Sequence, residues 1–333
     1  MKKKLLGIIL LVFLLTGCTQ KKYDGVVNVL NWSSYIPDSV IEDFEKEYNI
    51  KVHYGTYSSN EELLAKISSS KEGTYDLIFP SDYMIELMKK RDLLNPFDKT
   101  KLQNYKNINP RFLNQEYDKA NEYSIPFLLA TTTLAVNRDN IKEPITSYQD
   151  LLNENYRNNI VLIDDQRIII GAALQALGYN MNDTDETHLE EAYNYLMKLK
   201  KNVKAFDSDS PKTFLITKEV DIGLIWNAES ILAHEENPNI EIIYPTDGYV
   251  LSMDNYAIVK NAKNEENAYL FIDYLLRNEV CQKIIEEYPY ISTNRNVGNL
   301  SDKEIQTILS HGSYIKNVGD KIKDIDKLWA RIK

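Results

Sequence analysis

Short strand-like runs alternate with helix-periodic segments over the first ninety residues, and this alternation limits the folds open to the chain. Residues 26–30 predict a strand, residues 40–48 carry apolar side chains at helical spacing, and residues 51–57 predict a second strand. Residues 59–62 have the form of a capping box that opens a helix, and residues 75–79 predict a third strand before another helix. A strand–helix–strand–helix–strand order implies a parallel sheet with right-handed crossovers. The sequence therefore predicts an α/β protein.

The same pattern returns in the second half of the chain, with no proline- or glycine-rich linker between the two sections. The chain has 333 residues, which is long for one ordinary core, so we expect two lobes joined by strands. The predicted connecting strands are residues 128–136 and 253–259. Further strands are predicted at residues 159–163, 221–226 and 240–244, and helices at residues 169–177, 188–200, 264–276 and 279–287.

The N-terminus is typical of an export signal. A basic segment at residues 1–4 precedes an apolar run at residues 5–15, which is too short to span a bilayer. The run ends in "LTGC", which resembles the lipobox of bacterial lipoproteins, in which the signal is cut before the cysteine and the cysteine, here Cys18, is lipidated. We therefore expect a signal peptide at residues 1–17, a tether at residues 18–25 and a body anchored by lipid outside the cytoplasmic membrane. The alternative is a plain secretory signal with an incidental cysteine.

Charge and composition exclude several classes of function. The formal net charge of −10 argues against nucleic acid and against an anionic membrane surface as partner. If Cys18 carries lipid, Cys281 has no cysteine partner, and its apolar helical surroundings predict a buried thiol. The four histidines lack the spacing of metal ligands, so neither a metal nor a cofactor is expected: His53, His188, His234 and His311.

Aromatic and acidic side chains follow the predicted strands, and such positions bind ligands in open parallel sheets. Lysine and arginine are almost absent there, with Arg167 as the exception. Aromatic faces attract ammonium groups and cover methylene chains, and carboxylates bind ammonium groups directly. This inventory suits a ligand with positive ends and an apolar middle, and it does not suit an anion. The residues that follow strands are Trp32, Ser33, Ser34 and Tyr35, then Ser81, Asp82 and Tyr83, then Asp164 and Asp165, then Trp226 and Glu229. Asp254 lies near the second connecting strand, and Tyr290 lies further on.

Several of these residues also have a purely structural interpretation. Trp32 and Trp226 could be core residues, and Asp164 with Asp165 could cap a helix. Glu229 could be a solvated helix residue. Their shared position at five strand ends is what favours a ligand site.

Five stretches of the chain carry a family resemblance: "VLNWSSYIP", "GTYSSNEELLAKISS", "YDLIFPSDYMIELM", "LIWNAES" and "DYLLRNEV". They resemble the substrate-binding lipoproteins and periplasmic proteins of polyamine ABC importers. The similarity to this spermidine/putrescine-binding group runs from residue 26 to the C-terminus. It implies a type II periplasmic-binding-protein fold, with two lobes that each contain a mainly parallel sheet flanked by helices, and a ligand cleft between them. We expect lobe 1 at residues 26–130 plus 255–292 and lobe 2 at residues 131–254 plus 293–333.

The resemblance also implies a set of ligand contacts and shows where this chain departs from the family. The position of Ile168 is commonly glutamate, that of Ser34 is commonly acidic, and that of Ser252 is often aromatic. An acid at the position of Glu229 occurs in some putrescine-binding relatives. The implied contacts are the aromatic residues Trp32, Tyr35, Tyr83, Trp226 and Tyr290, the hydroxyls of Ser33 and Ser81, and the carboxylates of Asp165, Glu229 and Asp254.

With three carboxylates, the cleft is expected to prefer putrescine or spermidine. The expected function is capture of a polyamine by a monomer and delivery to the permease subunits of an ABC importer. Two alternatives keep this fold: a receptor for another small solute, for which Arg167 is the only cationic candidate, or a polyamine sensor. An enzyme would use Asp164, Asp165 or Glu229 as an acid/base pair. It is disfavoured because the sequence has no nucleophile elbow, metal-binding helix or phosphate loop.

Overall fold

The structure is a computed structural model that describes residues 22–298 and 300–333. The expected signal peptide, Cys18 and the first part of the tether lie outside the described residues. Among the residues that are described, no helix is both long and apolar enough to cross a membrane.

Strands and helices alternate through most of the described chain, with short 3-10 turns between residues 99 and 156. The strands are β1 (Gly25–Trp32), β2 (Ile50–Tyr57), β3 (Leu77–Ile78), β4 (Ile125–Asn137), β5 (Ile160–Leu162), β6 (Val203–Phe206), β7 (Ile222–Trp226), β8 (Ile240–Ile243), β9 (Tyr249–Ile258), β10 (Ile291–Ser292) and β11 (Gly312–Tyr314). The helices are α1 (Asp38–Tyr48), α2 (Asn60–Ser69), α3 (Asp82–Lys90), α4 (Gln166–Ala176), α5 (Glu186–Leu199), α6 (Lys212–Ile216), α7 (Asn227–Glu236), α8 (Glu265–Leu275), α9 (Asn278–Glu287), α10 (Asp302–His311) and α11 (Ile322–Ile332).

The strand order is β2-β1-β3-β9-β4-β7-β5-β6. At one end β1 is parallel to β2 and β3, and at the other end β5 is parallel to β6 and β7, as the sequence predicts. In the middle, β9 and β4 run antiparallel to each other and to their outer neighbours β3 and β7. The sheet is therefore mixed, with two parallel groups joined by two long antiparallel strands.

Strands β4 and β9 pass from one parallel group to the other. The first half of β4 pairs with β9 and β10, and its second half pairs with β7 and β8. These are the two predicted connecting strands, and both are longer than the sequence indicates. Separate buried cores lie on either side of them: one contains Val29, Phe44 and Phe271, and the other contains Leu162, Ile169 and Leu196.

Residues 293–298, which the expected boundaries place in lobe 2, are bonded to residues that those boundaries place in lobe 1. The Thr293 hydroxyl donates to the carbonyl of Phe127 at 2.7 Å, and the Arg295 guanidinium donates to the carbonyl of Ile108 at 3.0 Å. These bonds keep residues 293–298 with the elements assigned to lobe 1. The chain reaches the other core at Ile315 and through α11, whose buried face packs against α4 and α5.

Candidate ligand-binding site

A single cleft brings together all ten residues that the sequence singles out as ligand contacts. It lies where β1, β3 and β7 end, beside β9, so the strand ends deliver its side chains. Its volume of about 110 Å³ is small beside the roughly 300–1,000 Å³ of typical small-molecule pockets. A slender chain fits such a space better than a bulky ring. The predicted residues that line it are Trp32, Ser33, Tyr35, Ser81, Tyr83, Asp165, Trp226, Glu229, Asp254 and Tyr290.

The carboxylate of Asp254 is buried at the base of the cleft. Its Oδ2 accepts a hydrogen bond from the Tyr35 hydroxyl and its Oδ1 accepts one from the Ser81 hydroxyl, each at 2.7 Å. Burial raises the pKa of Asp254 to about 7, although these hydrogen bonds act to lower it. Within the described residues, Asp254 forms no ion pair with a lysine, arginine or histidine. A buried carboxylate without a counter-ion is costly unless a cation reaches it.

Aromatic rings form a continuous wall around this carboxylate. The ring centroids of Trp32 and Tyr57 are 4.5 Å apart, and those of Tyr35 and Tyr290 are 4.8 Å apart. The Trp32 indole donates to the carbonyl of Phe79 at 2.9 Å, which fixes its orientation. Trp32 is half-buried: it packs against the core and also lines the cleft, and its contact with a ligand stays a prediction.

Asp165 lines the cleft and also caps a helix. Its Oδ1 accepts from the backbone amides of Arg167 at 2.7 Å and Ile168 at 3.0 Å, so it caps the N-terminus of α4. Burial raises its pKa, and these amides act in the opposite direction. The neighbouring Asp164 also lines the cleft, but its carboxylate accepts from the Lys333 ammonium at 2.8 Å.

Glu229 differs from the two aspartates because it already has a cationic partner. The ammonium of Lys212 donates to its Oε1 at 2.8 Å. Glu229 is buried in the first turn of α7 rather than solvated. Its charge is therefore neutralised inside the protein.

Arg167 does not serve the cleft. Its guanidinium donates to the Asn182 side chain and to the carbonyl of Lys316, both at 3.0 Å, and it is absent from the cleft lining. The described lining contains no lysine or arginine at all. An anionic ligand would find no cationic side chain there, whereas a cation would meet carboxylates and ring faces.

Asp82 lies beside the cleft but does not line it. Its buried carboxylate accepts from the backbone amide of Met253 at 3.1 Å, which joins the start of α3 to β9. Burial raises the pKa of Asp82 to about 8. Its role in this structure is to connect these two elements.

Sequence reasoning missed several residues of the lining. Tyr57 is the last residue of β2 and Asn60 follows it, and the rule applied to the other strand ends would have found them. Ser208 and Asp209 follow β6, a strand that the sequence pattern does not reveal because its residues are only partly buried. Ile168 lines the cleft as a buried apolar residue at the position where the family commonly has glutamate.

The fold and this cleft define a class of protein. No group of three potential metal ligands occurs in the part of the chain that is described. An aromatic, acidic cleft between two α/β units that share two strands is typical of a solute-binding protein.

Comparison with known proteins identifies the family. A profile of the bacterial extracellular solute-binding proteins matches residues 39–308. The spermidine/putrescine-binding periplasmic protein of Salmonella typhimurium is 38% identical over 314 residues, covering 91% of this chain and 90% of that protein. The chain belongs to the bacterial extracellular solute-binding protein family. It is therefore a binding protein that acts outside the cytoplasm and not an enzyme.

Solved structures are similar over almost the whole chain. The spermidine/putrescine ABC transporter substrate-binding protein of Streptococcus pneumoniae has a TM-score of 0.79 and 32% identity, covering 93% of this chain and 98% of that chain. The Tp0655 lipoprotein of Treponema pallidum has a TM-score of 0.83 and 26% identity, covering 92% of this chain and 99% of that chain. The predicted periplasmic-binding-protein fold is confirmed.

Proposed function

We propose that this protein captures a polyamine, putrescine or spermidine, and delivers it to the permease subunits of an ABC importer. The observation that carries the proposal is Asp254, a buried carboxylate at the base of an aromatic cleft, with no cationic side chain paired to it in the described structure. A ligand ammonium would supply the missing counter-charge in a place where water does not screen it.

The rest of the cleft suits the remainder of such a ligand. The rings of Trp32, Tyr35 and Trp226 offer flat apolar faces to a methylene chain, and each cation–π contact contributes about 0.5–2 kcal/mol. Asp165, which lies between β5 and α4 in the other parallel group, offers a second carboxylate. The names of the Salmonella and Streptococcus relatives, which state spermidine and putrescine, support the same class of ligand.

Two further parts of the proposal concern closure and anchoring. Strand β9 pairs with β3 of one parallel group, β4 pairs with β7 of the other, and the two pair with each other. These two strands would form the hinge on which two lobes close over the ligand. Cys18 would carry a lipid that holds the protein at the outer face of the cytoplasmic membrane, as a monomer. The relative from Treponema pallidum is described as a lipoprotein, which supports this anchoring.

Isothermal titration calorimetry on residues 22–333, freed of co-purified ligand, tests the proposal. The titrants are putrescine, cadaverine, spermidine, spermine and neutral amino acids. We expect micromolar or tighter binding of putrescine or spermidine, weakened at least tenfold in Asp254→Asn and in Trp226→Ala. Asp92→Asn is the matched control, because it removes an equal charge from an exposed carboxylate that pairs with Lys260 on the surface. Binding of a neutral or anionic solute without any polyamine would contradict the proposal.

A further inference from the structure

The ion pair between Glu229 and Lys212 sets the number of free carboxylates in the cleft. The Lys212 ammonium lies 2.8 Å from Glu229 Oε1, and the Lys212 backbone amide lies 3.4 Å from Oε2. Only 12% of the Glu229 side chain and 25% of the Lys212 side chain are exposed. The pair is thus largely shielded from solvent. Its attraction is therefore screened less than that of an ion pair on the surface.

Lys212 is held in place by the local fold. It is the first residue of α6, a short helix that follows the cleft residues Ser208 and Asp209. Its side chain is a primary alkylammonium, the same chemical group as the end of a polyamine. A ligand ammonium would have to displace this tethered group or share an already neutralised carboxylate with it, so binding at Glu229 would gain little.

The other two predicted carboxylates, Asp165 and Asp254, form no ion pair within the described residues. Asp209 also lines the cleft, but its side chain is exposed at the rim, where water screens its charge. The interior therefore holds two carboxylates without an ion-pair partner among the described residues. Two ammonium groups would be matched there, whereas a third would be desolvated without a partner, which is unfavourable.

We propose that Lys212 is a specificity-determining residue that neutralises Glu229 and so favours diamines over triamines. This inference rests on the proposed polyamine-binding function and refines it. Lys212 acts through Glu229 and need not contact the ligand itself.

Calorimetry with putrescine and spermidine on Lys212→Met tests this inference. Methionine keeps most of the length of the side chain and removes the charge, which frees the Glu229 carboxylate. We expect spermidine to bind about tenfold more tightly, while the affinity for putrescine changes less than threefold. Adding Glu229→Gln to Lys212→Met should restore the wild-type ratio of the two affinities.

Two further variants separate a local effect from general electrostatics and from misfolding. Lys204→Met removes the same charge from a surface pair, in which the Lys204 ammonium lies 3.2 Å from Glu219, and should leave the ratio unchanged. Lys212→Arg retains a cation and should also keep the wild-type ratio. An equal change for both ligands in Lys212→Met, or no change, would overturn the inference. If the wild-type protein bound neither polyamine, the proposed function itself would fail, which is a different result.

Discussion

At the residue scale, the properties of the cleft follow from how each carboxylate is surrounded. Asp254, Asp165 and Glu229 have the same chemical group, but the first is held by two hydroxyls, the second by backbone amides and the third by an ammonium. Hydroxyls and amides orient a carboxylate without cancelling its charge. Only an ammonium cancels it. The three residues are therefore not equivalent, although their positions in the sequence suggest that they are.

The raised pKa of Asp254 predicts that ligand binding depends on pH. An ammonium binds the ionised carboxylate, and with a pKa of about 7 this group is largely protonated in the free protein at pH 5.5. Protons then compete with the ligand, so affinity should rise as the pH rises, by about 20-fold between pH 5.5 and 7.5. Calorimetry with putrescine at several pH values measures this. In Asp254→Asn the binding should be weaker and nearly independent of pH, and an equally steep pH dependence in that variant would contradict the assignment.

At the scale of elements, short helices and strand ends present the cleft residues, and polar contacts beneath the cleft fix these elements to each other. Ser81 precedes α3 and joins Asp254 of β9, while the next residue, Asp82, accepts from the amide of Met253. Two adjacent residues thus tie the start of one helix to one of the two shared strands. The position of the Asp254 carboxylate depends on this connection.

The buried Asp82 predicts that the stability of the ligand-free protein decreases as the pH rises. Its pKa is raised from 3.8 to about 8, so the folded state holds a proton that the unfolded chain releases above pH 4. This contribution to stability is fully present below about pH 4 and is lost as the pH rises through 8, by on the order of 3 kcal/mol between pH 5 and 8. Urea unfolding of wild type and Asp82→Asn at both pH values measures it. The variant should show a flatter pH dependence by that amount.

The exposed carboxylate of Asp92 provides the control for this measurement. Its side chain is 82% exposed, so Asp92→Asn should retain the wild-type pH dependence. If the pH dependence of stability were equally flat in both variants, the buried carboxyl group of Asp82 would not be the cause of the wild-type dependence.

At the scale of the whole molecule, the ligand would occupy the space between two separately packed cores that share β4 and β9. Ligand binding would therefore add contacts between two cores that are otherwise connected mainly through these two strands. A ligand of this kind stabilises the native state by mass action, because the unfolded chain has no cleft to bind it.

We expect saturating putrescine or spermidine to raise the unfolding free energy. At a free concentration 100 times the dissociation constant, the gain should be about 2.7 kcal/mol. Thermal unfolding followed by circular dichroism, with and without ligand, measures it as an increase in Tm. Trp226→Ala should reduce the increase in proportion to its lost affinity. Spermine-sized or anionic solutes that raised Tm more than the diamine would contradict the proposed preference.

The sequence by itself determined the order of the elements and the chemistry of the cleft. Apolar periodicity located every strand from residue 26 to residue 79 within two residues of its observed ends, because alternating burial leaves a local pattern. The strand-end rule found Trp32, Asp165 and Trp226, since side chains at the carboxyl ends of parallel strands converge whatever the details of packing. Asp254 lies instead within the antiparallel strand β9, near the predicted connecting strand that drew attention to it.

Only the tertiary structure decided which charges in the cleft are free. Glu229 and Lys212 are 17 residues apart in different helices, and neither carries a local pattern that predicts their pairing. The same is true of the contact of Asp164 with Lys333 and of the bonds that hold residues 293–298 to lobe 1. The physical reason is that periodicity and turn chemistry act over a few residues, whereas the partner of a charge is set by how distant segments come together when the cores pack.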